Sequence, residues 1–378
     1  MTTNSLKNQK RLGGQPGSTE SAEAAGLDVA ASLVCPACKT SLHDAGDRLA
    51  CTGCRKEWPV TDGVPAFTGD FPYWGEVPQE SMQRVNLEAR SKHWKSVLTE
   101  SDDPHLQRAK GMILNVDRAN WHWLVDLPRD VQVVDIGAGT GANAEALARR
   151  FRKVYALEPV RERVEFMRHR FSQERLDNIS VLRTSLWDLP FAPASCHLVA
   201  LNGVLEWVAK GTPGDPRELQ LSALKNVAQL LDEGGYLYLG IENRLSWLYF
   251  AGAPDVHCGL PWTTILPRPL ANWYAKRAGQ AEGYRNYLYS MWGYRKLLKE
   301  AGFEDLEFYL AIESYNWPRF YLPLKQNVFS YFYRNFNPPG SRMLSRGAKW
   351  LLQSVGVLKH MQYSFAILAR KGRKGIRS

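Results

Sequence analysis

The chain has 378 residues, of which 44% are hydrophobic and 23% are charged, and its formal net charge is +10. This length exceeds one catalytic domain of about 200 to 250 residues and leaves room for one or two small appendages. The sequence has no apolar run of about 18 residues, and its first 30 residues lack the apolar segment of a secretory signal, which argues against a membrane or exported protein. We therefore predict a cytoplasmic protein.

The positive charge is concentrated near the end of the sequence. From Ser314 onward there are twelve Lys or Arg residues and no Asp or Glu. Such a segment favours an anionic partner, for which a phosphorylated substrate, RNA and a membrane surface are all candidates. A solvated surface without a partner is the other interpretation.

The first 70 residues divide into two parts. Residues 1–31 are small and polar without periodicity, which predicts a disordered leader. Residues 32–70 carry the motifs CPAC (Cys35 to Cys38) and CTGC (Cys51 to Cys54), with twelve residues between them. This spacing lets Cys35, Cys38, Cys51 and Cys54 close around one tetrahedral, structural Zn²⁺. The segment, including WPVTDGVP (Trp58 to Pro65), resembles the small Trm112-like zinc-ribbon proteins.

Helical and strand-like segments alternate in the rest of the chain. Residues 79–128 have helical periodicity and form a predicted lead-in to a domain spanning 129–378. In that domain the apolar runs VQVVDIG, KVYALEP, ISVLRTS, CHLVALNG and YLYLGIE are separated by helical segments. The alternation predicts an α/β fold with a Rossmann-like, doubly wound, mostly parallel sheet. Insertions at 243–290 and 315–359 follow the fifth and sixth strands, where loops line a ligand crevice, and we predict that they cover the substrate.

A glycine-rich motif, VVDIGAGTG (Val133 to Gly141), stands where the first of these strands meets a helix. Glycines let the backbone approach a ligand closely, and the helix presents free N–H groups. Glu158 ends the next strand, where a carboxylate can accept both ribose hydroxyls. A nicotinamide or flavin site is the alternative, but Asp135 before the glycines would repel a pyrophosphate and would suit an ammonium group. We therefore predict S-adenosylmethionine (SAM) as the cofactor.

From about Gln132 to Lys371 the sequence resembles the class I SAM-dependent methyltransferase superfamily. VVDIGAGTG corresponds to its first motif, ALEP to its ribose-binding acidic position, TSLWDLPF to its adenine segment and LVALNGVLEWV to its fourth-strand motif. Ser185 and Trp207 stand where many relatives have Asp and His. The resemblance implies a cofactor site formed by Asp135, Gly137, Ala138, Gly139, Gly141, Glu158, Leu186, Trp187 and Asn202.

The segment after the fifth strand offers candidates for catalysis. Glu242 lies at the crevice end of that strand, and Asp255 with His257 can form an imidazole base oriented by a carboxylate. A loop-ordering Asp–His pair is the alternative. Four residues with donors suited to sugar hydroxyls or phosphate are candidate substrate ligands: Asn243, Arg244, Arg285 and Arg319.

The acceptor is open to several interpretations at this stage. ENRLSWLYFAGAPDVHCG and YNWPRFYLPL are similar to methyltransferases of bacterial polysaccharide or glycolipid biosynthesis, which implies O-methylation of a small-molecule or glycan acceptor, phosphorylated or lipid-linked in some cases. The cysteines and basic residues favour an RNA methyltransferase instead. A non-catalytic SAM-binding scaffold is the third hypothesis.

Overall fold

The structure is a computed structural model, and it describes residues 32–336 and 356–372. The predicted leader, residues 1–31, lies outside the described residues, as does much of the second predicted insertion.

The four-cysteine segment forms a small antiparallel sheet. Its strands are β1 (Leu42–Asp44), β2 (Arg48–Cys51), β3 (Glu57–Thr61) and β4 (Val64–Pro65), hydrogen-bonded in that order. Leu33, Leu49 and Phe67 are buried under this sheet and join the main hydrophobic core. The segment has too few apolar side chains to form a large core of its own. A bound metal would stabilise its fold further.

Three helices follow: α1 (Gln79–Ala89), α2 (Trp94–Glu100) and α3 (Pro104–Leu114), then a 3₁₀ segment, Val116–Leu124. The carboxylate of Asp103 caps α3 by accepting a hydrogen bond from the main-chain nitrogen of His105 at 2.8 Å. Trp94, at the start of α2, is fully buried and meets the ring of Phe166 edge-on at 5.7 Å between ring centres. The helical segment is thus packed on the α/β part of the chain.

The main sheet has eight strands, in the order β11-β10-β12-β9-β8-β5-β6-β7. They are β5 (Gln132–Ile136), β6 (Lys153–Leu157), β7 (Ile179–Leu182), β8 (Cys196–Asn202), β9 (Leu231–Glu242), β10 (Phe303–Ser314), β11 (Trp317–Pro323) and β12 (Ser364–Lys371). The pairs from β7 to β9 are parallel, whereas β12, β10 and β11 each pair antiparallel with their neighbours. The predicted Rossmann-like α/β fold is confirmed.

Helices connect the strands and cover the sheet. They are α4 (Ala142–Arg150), α5 (Arg161–Gln173), α6 (Pro216–Leu230), α7 (Trp247–Phe250), α8 (Arg268–Arg277), α9 (Met291–Glu300) and α10 (Gln326–Phe336), with 3₁₀ turns at Leu205–Trp207 and Leu358–His360. Within residues 32–336 and 356–372, no helix combines the length and the apolar composition needed to cross a membrane.

The region predicted as a second irregular insertion contains regular structure. Residues 317–323 form β11, which turns back on β10 in a hairpin, and α10 follows it. The strand carries Pro318 and Pro323 and is largely exposed or half-buried. Proline and exposure both mask the alternation that identifies a strand, and they are tolerated here because β11 is an edge strand.

The cysteine-bearing sheet also touches the main sheet directly. Beyond the end of β7, Arg183 pairs with Ala66 as a parallel bridge, and the main-chain nitrogen of Phe67 donates to the oxygen of Arg183 at 2.8 Å. A second contact is made by the main-chain nitrogen of Val34, which donates to the oxygen of Pro190 at 2.9 Å. The small sheet therefore lies against the outer strand of the large one.

Candidate active site

A cavity of about 420 Å³ opens at the carboxyl ends of β5, β8 and β9. Asp135, Asn202 and Glu242, which lie at or near the ends of these three strands, line it together with the glycine loop after β5. Parallel strands place such end residues at one edge of the sheet, where the connecting loops form a crevice.

The loop after β5 has three glycines, two of which are closely packed against neighbouring side chains. Gly137, Gly139 and Gly141 all have positive φ angles, of 68°, 58° and 83°. A Cβ on Gly137 would lie 2.6 Å from Val204, and one on Gly141 would lie 2.7 Å from the ring of Phe171. Gly137, Ala138 and Gly139 line the cavity, whereas Gly141 lies behind it at the start of α4.

Glu158 lies next to this loop, and both of its carboxylate oxygens accept main-chain hydrogen bonds. Gly139 donates to one oxygen at 2.9 Å and Val160 to the other at 3.2 Å. Burial raises the pKa of Glu158, and the nearby guanidinium of Arg163, 3.9 Å away, opposes this rise. Glu158 therefore holds the loop in place, and it is not among the residues that line the cavity.

Asp135 is buried, and its two carboxylate oxygens have different surroundings. Asn143 donates to its Oδ1 at 2.7 Å, and Trp121 donates to the amide oxygen of Asn143 at 3.2 Å. Oδ2 has no hydrogen-bond partner among the described residues. Burial, only partly offset by the bond from Asn143, raises the pKa of Asp135 to about 7. An oriented carboxylate oxygen is thus available to a cationic ligand.

Asn202 and Arg118 form the wall beside Asp135. With the Asn202 amide turned so that donors face acceptors, its oxygen accepts from Arg118 at 2.8 and 3.2 Å and its nitrogen donates to the hydroxyl of Tyr238 at 3.1 Å. Arg118 comes from the 3₁₀ segment before the sheet. No sequence motif marks Arg118, because its place beside Asp135 depends on how that segment packs.

The predicted adenine contacts lie elsewhere. Leu186 is buried in the main hydrophobic core, and Trp187 is partly exposed in the turn after β7. This turn is stabilised by Ser185, whose hydroxyl donates to Asp188 at 2.9 Å and accepts from the main-chain nitrogen of Trp187 at 3.2 Å. Leu186 and Trp187 are not among the residues that line the cavity.

The structure brings Asp255 and His257 together. Oδ1 of Asp255 lies 2.8 Å from Nδ1 of His257, and Oδ2 accepts from the hydroxyls of Thr264 at 2.7 Å and Tyr284 at 3.0 Å. Asp255 is fully buried, so these bonds fix both the carboxylate and the imidazole. Nε2 of His257 is left facing the cavity, which His257 lines.

Two carboxylates face this nitrogen. Glu242 Oε2 and Glu206 Oε1 each lie 3.7 Å from Nε2 of His257. Tyr315 donates to the other oxygen of Glu242 at 2.9 Å, while neither oxygen of Glu206 has a hydrogen-bond partner among the described residues. Glu206 was not predicted from the sequence, although its place in the turn after β8 is a signal that could have identified it.

The charges in this cluster influence one another. Burial raises the pKa of Glu242, the neighbouring Glu206 raises it further, and the value reaches about 7. Burial lowers the pKa of His257, but the surrounding carboxylates outweigh it and raise the value to about 11. For Asp255, the hydrogen bonds from His257 outweigh burial and lower the pKa.

The four predicted substrate ligands are engaged elsewhere. Asn243 donates to the main-chain oxygens of residues 360 and 362, and Arg244 donates to those of residues 264–266. Arg285 donates to the main-chain oxygens of residues 209, 212 and 214, and exposed Arg319 pairs with Glu313. None of these four residues, all in the described part of the chain, lines the cavity. Three of them satisfy loop carbonyls that would otherwise lack donors.

A segment between the small sheet and α1 closes one side of the cavity. Residues 73–77 line it, with the ring of Trp74 4.1 Å from that of Trp207. The guanidinium of Arg163 donates to Glu76 at 2.6 Å and lies over the Trp74 ring. Residues 73–77 lie outside every segment that was predicted from the sequence to form the site.

The four thiols of the small sheet lie close together. The sulfurs of Cys35 and Cys54 are 3.6 Å apart, and those of Cys38 and Cys51 are 3.3 Å apart. A disulfide would require about 2.05 Å. Sulfurs bound to one Zn²⁺ at about 2.3 Å in a tetrahedron lie about 3.8 Å apart, so the thiols fit zinc after a small expansion.

Comparison with known proteins adds a family for part of the chain. Residues 134–239 match the family model of the methyltransferase domain. No curated protein matches the sequence.

Some solved structures are similar to this chain at low identity and with TM-scores below 0.5. A phosphoethanolamine N-methyltransferase of Haemonchus contortus is 12% identical, with a TM-score of 0.43, over 75% of this chain and 60% of its own length. A chain from the complex of the Haloferax volcanii Trm112 methyltransferase activator with a candidate methyltransferase is 16% identical, with a TM-score of 0.40, over 76% of this chain and 98% of its own. The [4+2]-cyclase SpnF is 15% identical, with a TM-score of 0.41, over 78% of this chain and 98% of its own. This chain thus spans less than two thirds of the nematode enzyme.

Proposed function

We propose that this chain, which is a SAM-dependent methyltransferase with a class I Rossmann-like fold and an N-terminal zinc ribbon, methylates an oxygen atom of a sugar-containing acceptor. The observation that carries the proposal is the cluster of Asp255, His257, Glu242 and Glu206 on the cavity that also contains Asp135 and the glycine loop. A neutral hydroxyl must lose its proton when it is methylated, and buried carboxylates beside an imidazole can receive one.

The residues around Asp135 fit SAM. The unpartnered Oδ2 of Asp135 suits the ammonium group of the methionine part, and Gly137 and Gly139 allow the backbone to approach the ligand. Glu158 would hold the ribose. To do so, its carboxylate must replace the hydrogen bond from Gly139 with bonds from the ribose hydroxyls. When bound, SAM supplies an electrophilic methyl group, whose C–S bond breaks with the electron pair remaining on sulfur.

The protein's own residues have two tasks in such a reaction. They must hold the acceptor oxygen in line with the methyl group, and they must take the hydroxyl proton as the new C–O bond forms. Glu242 and Glu206 are placed to take the proton, and His257, oriented by Asp255, completes the cluster. Aromatic side chains on the cavity wall, among them Trp74, Trp207 and Tyr315, offer faces for a sugar ring.

The domain organisation of the chain and its location in the cell are also proposed. The ribbon (32–70), the helical lead-in (79–128) and the catalytic domain (129–378) are proposed as the units of the chain, with parts of 243–290 and 315–359 covering the substrate. The paired cysteines support a cytoplasmic location, because thiols stay reduced there and can bind a metal.

The test follows a labelled methyl group. The purified protein is incubated with methyl-labelled SAM and extract from a strain that lacks it, and RNA, protein, lipid-linked and soluble glycan fractions are counted. We expect label in a glycan or lipid-linked fraction, with none for Asp135→Ala and much less for Glu242→Gln. Glu282→Gln, an exposed change of the same kind, serves as the control. Label in RNA would contradict the proposal and favour the RNA alternative.

A further inference from the structure

We propose that Glu206, Glu242 and His257 bind one divalent metal ion, separate from the zinc of the ribbon. The three side chains each offer one ligand atom, and these atoms all lie within 4.8 Å of one another. The binding site itself does not depend on the proposed function. Its suggested use, which is to hold the acceptor oxygen, does rest on that function.

The spacing of the ligand atoms suits a metal better than a direct hydrogen bond. Nε2 of His257 lies 3.7 Å from the nearest oxygen of each glutamate. A charge-assisted N–H···O bond measures about 2.7–2.9 Å. Atoms bound to one metal at about 2.1 Å lie about 3.0–3.4 Å from one another. The two 3.7 Å distances therefore need to shorten by a few tenths of an ångström, and the two glutamate oxygens already lie within 4.8 Å of each other.

Unpaired oxygen atoms provide an independent sign of a missing cation. Both carboxylate oxygens of Glu206 and Oε2 of Glu242 lack hydrogen-bond partners within the described residues. Glu206 is only 1% exposed, so bulk solvent has little access to these oxygens. A buried carboxylate without partners is costly, and a cation bound between the two glutamates would satisfy these oxygens together.

The surrounding hydrogen bonds match those that orient metal ligands. Asp255 holds Nδ1 of His257 at 2.8 Å and is itself held by Thr264 and Tyr284. This arrangement favours the tautomer with a proton on Nδ1, which leaves Nε2 free to bind a metal. Tyr315 orients Glu242 in the same way through its other oxygen.

The charge of the cluster also favours a divalent ion. Three carboxylates, those of Asp255, Glu206 and Glu242, surround a single imidazole. A protonated imidazole would leave two negative charges uncompensated, whereas a divalent cation beside a neutral imidazole would leave one. One nitrogen and two carboxylate ligands suit ions such as Mn²⁺, Fe²⁺ or Zn²⁺ and leave positions open for an acceptor oxygen.

Mn²⁺ is the probe of choice, since it binds thiolates poorly and so does not compete for the ribbon. The full chain, desalted without a strong chelator and checked to hold one zinc per chain, is titrated with Mn²⁺ without SAM or acceptor, and the free ion is followed by its EPR signal. We expect one Mn²⁺ per chain and at least a tenfold weaker Kd for Glu206→Gln. Glu76→Gln is the matched control, because it removes the same charge from the same cavity outside the cluster, and it should bind Mn²⁺ like the wild type.

A second variant keeps all three metal ligands and changes only the residue that orients one of them. Asp255→Asn keeps all three ligands but loosens His257, so Mn²⁺ should bind about 10- to 100-fold more weakly. A wild-type protein that binds no Mn²⁺, or an equal loss in Glu76→Gln, would overturn the inference. Mn²⁺ binding without methylation of a hydroxyl would leave the metal site standing and remove the proposed function. Methylation of a hydroxyl by a protein that binds no Mn²⁺ would support the proposed function and overturn the metal site.

Discussion

The guanidinium of Arg170 donates a hydrogen bond to the main-chain oxygen of Thr140, 3.1 Å away in the glycine loop. The same guanidinium donates to Glu145 at 2.7 Å and to the main-chain oxygen of Ile113 at 2.8 Å, and it lies over the ring of Trp94. One buried side chain on α5 thus connects the helical lead-in, the cofactor loop and α4.

We expect Arg170→Ala to lower the free energy of unfolding by about 3–5 kcal/mol, because it leaves Glu145 buried with fewer partners. Arg149→Ala removes a half-exposed partner of the same carboxylate and should cost about 1 kcal/mol or less. Urea unfolding of both variants measures the difference. Equal losses would contradict the role assigned to Arg170.

Gly141→Ala should destabilise the protein more than Gly211→Ala. Both glycines have positive φ angles, so each substitution carries a conformational cost of about 1–2 kcal/mol. At Gly141 an added Cβ would lie 2.7 Å from Phe171, whereas at Gly211 no atom of the described residues lies within 4 Å of it. The clash should add about 1–3 kcal/mol, which thermal unfolding would detect. Similar melting temperatures for the two variants would argue against the tight loop.

Asp135→Asn should stabilise the protein without SAM at pH 8 and have little effect near pH 4. The pKa of Asp135 is raised from 3.8 to about 7, mainly by burial. The folded state therefore keeps a proton that the unfolded state loses, so this group's stabilising contribution is full below about pH 4 and is lost as the pH rises through 7. Urea unfolding of both proteins between pH 4 and pH 8 measures this contribution.

The same substitution should weaken SAM binding, because the amide cannot balance an ammonium charge. Asp130 forms an exposed ion pair with Arg152, so Asp130→Asn controls for the change of charge. It should alter neither the stability of the protein nor its affinity for SAM. A stability difference between wild type and Asp135→Asn that does not vary with pH would contradict a buried carboxylate with a raised pKa.

Removal of the ribbon metal should unfold the small sheet. Cys51→Ser should lose the tightly bound zinc and lower the melting temperature, because a core of this size depends on its metal. Cys258→Ser, a thiol outside the four-cysteine cluster, should keep the zinc content of the wild type. Metal analysis by mass spectrometry measures the zinc content of both variants. A zinc content of Cys51→Ser equal to that of the wild type would show that the four thiols do not share one ion.

The features that the sequence predicted well depend on local patterns. Apolar runs such as VQVVDIG identify buried strands by composition, and the CxxC pairs and glycines have fixed spacings. The alternation of strands and helices predicts the parallel part of the sheet, from β7 to β9. The contact between Asp255 and His257 could also be predicted, because the two residues are only two positions apart in the sequence.

The remaining parts of the site depend on long-range packing. Glu206 and His257 are separated by fifty-one positions, and no local pattern indicates that they meet. Trp74 reaches the cavity only because the segment before α1 folds over it. Arg244 and Arg285 have donors that suit a substrate, yet loop carbonyls occupy them, and a sequence does not reveal which carbonyls lack partners.

The bridge between Ala66 and Arg183 has a consequence for the molecule's behaviour in solution. β7 is the last strand of the main sheet on its side, and an open last strand offers unpaired N–H and C=O groups to any other extended chain. The ribbon lies against this strand through Ala66 and Phe67. Loss of its metal would therefore uncover a template for strand addition, and the first sign of zinc depletion would be self-association of otherwise folded molecules.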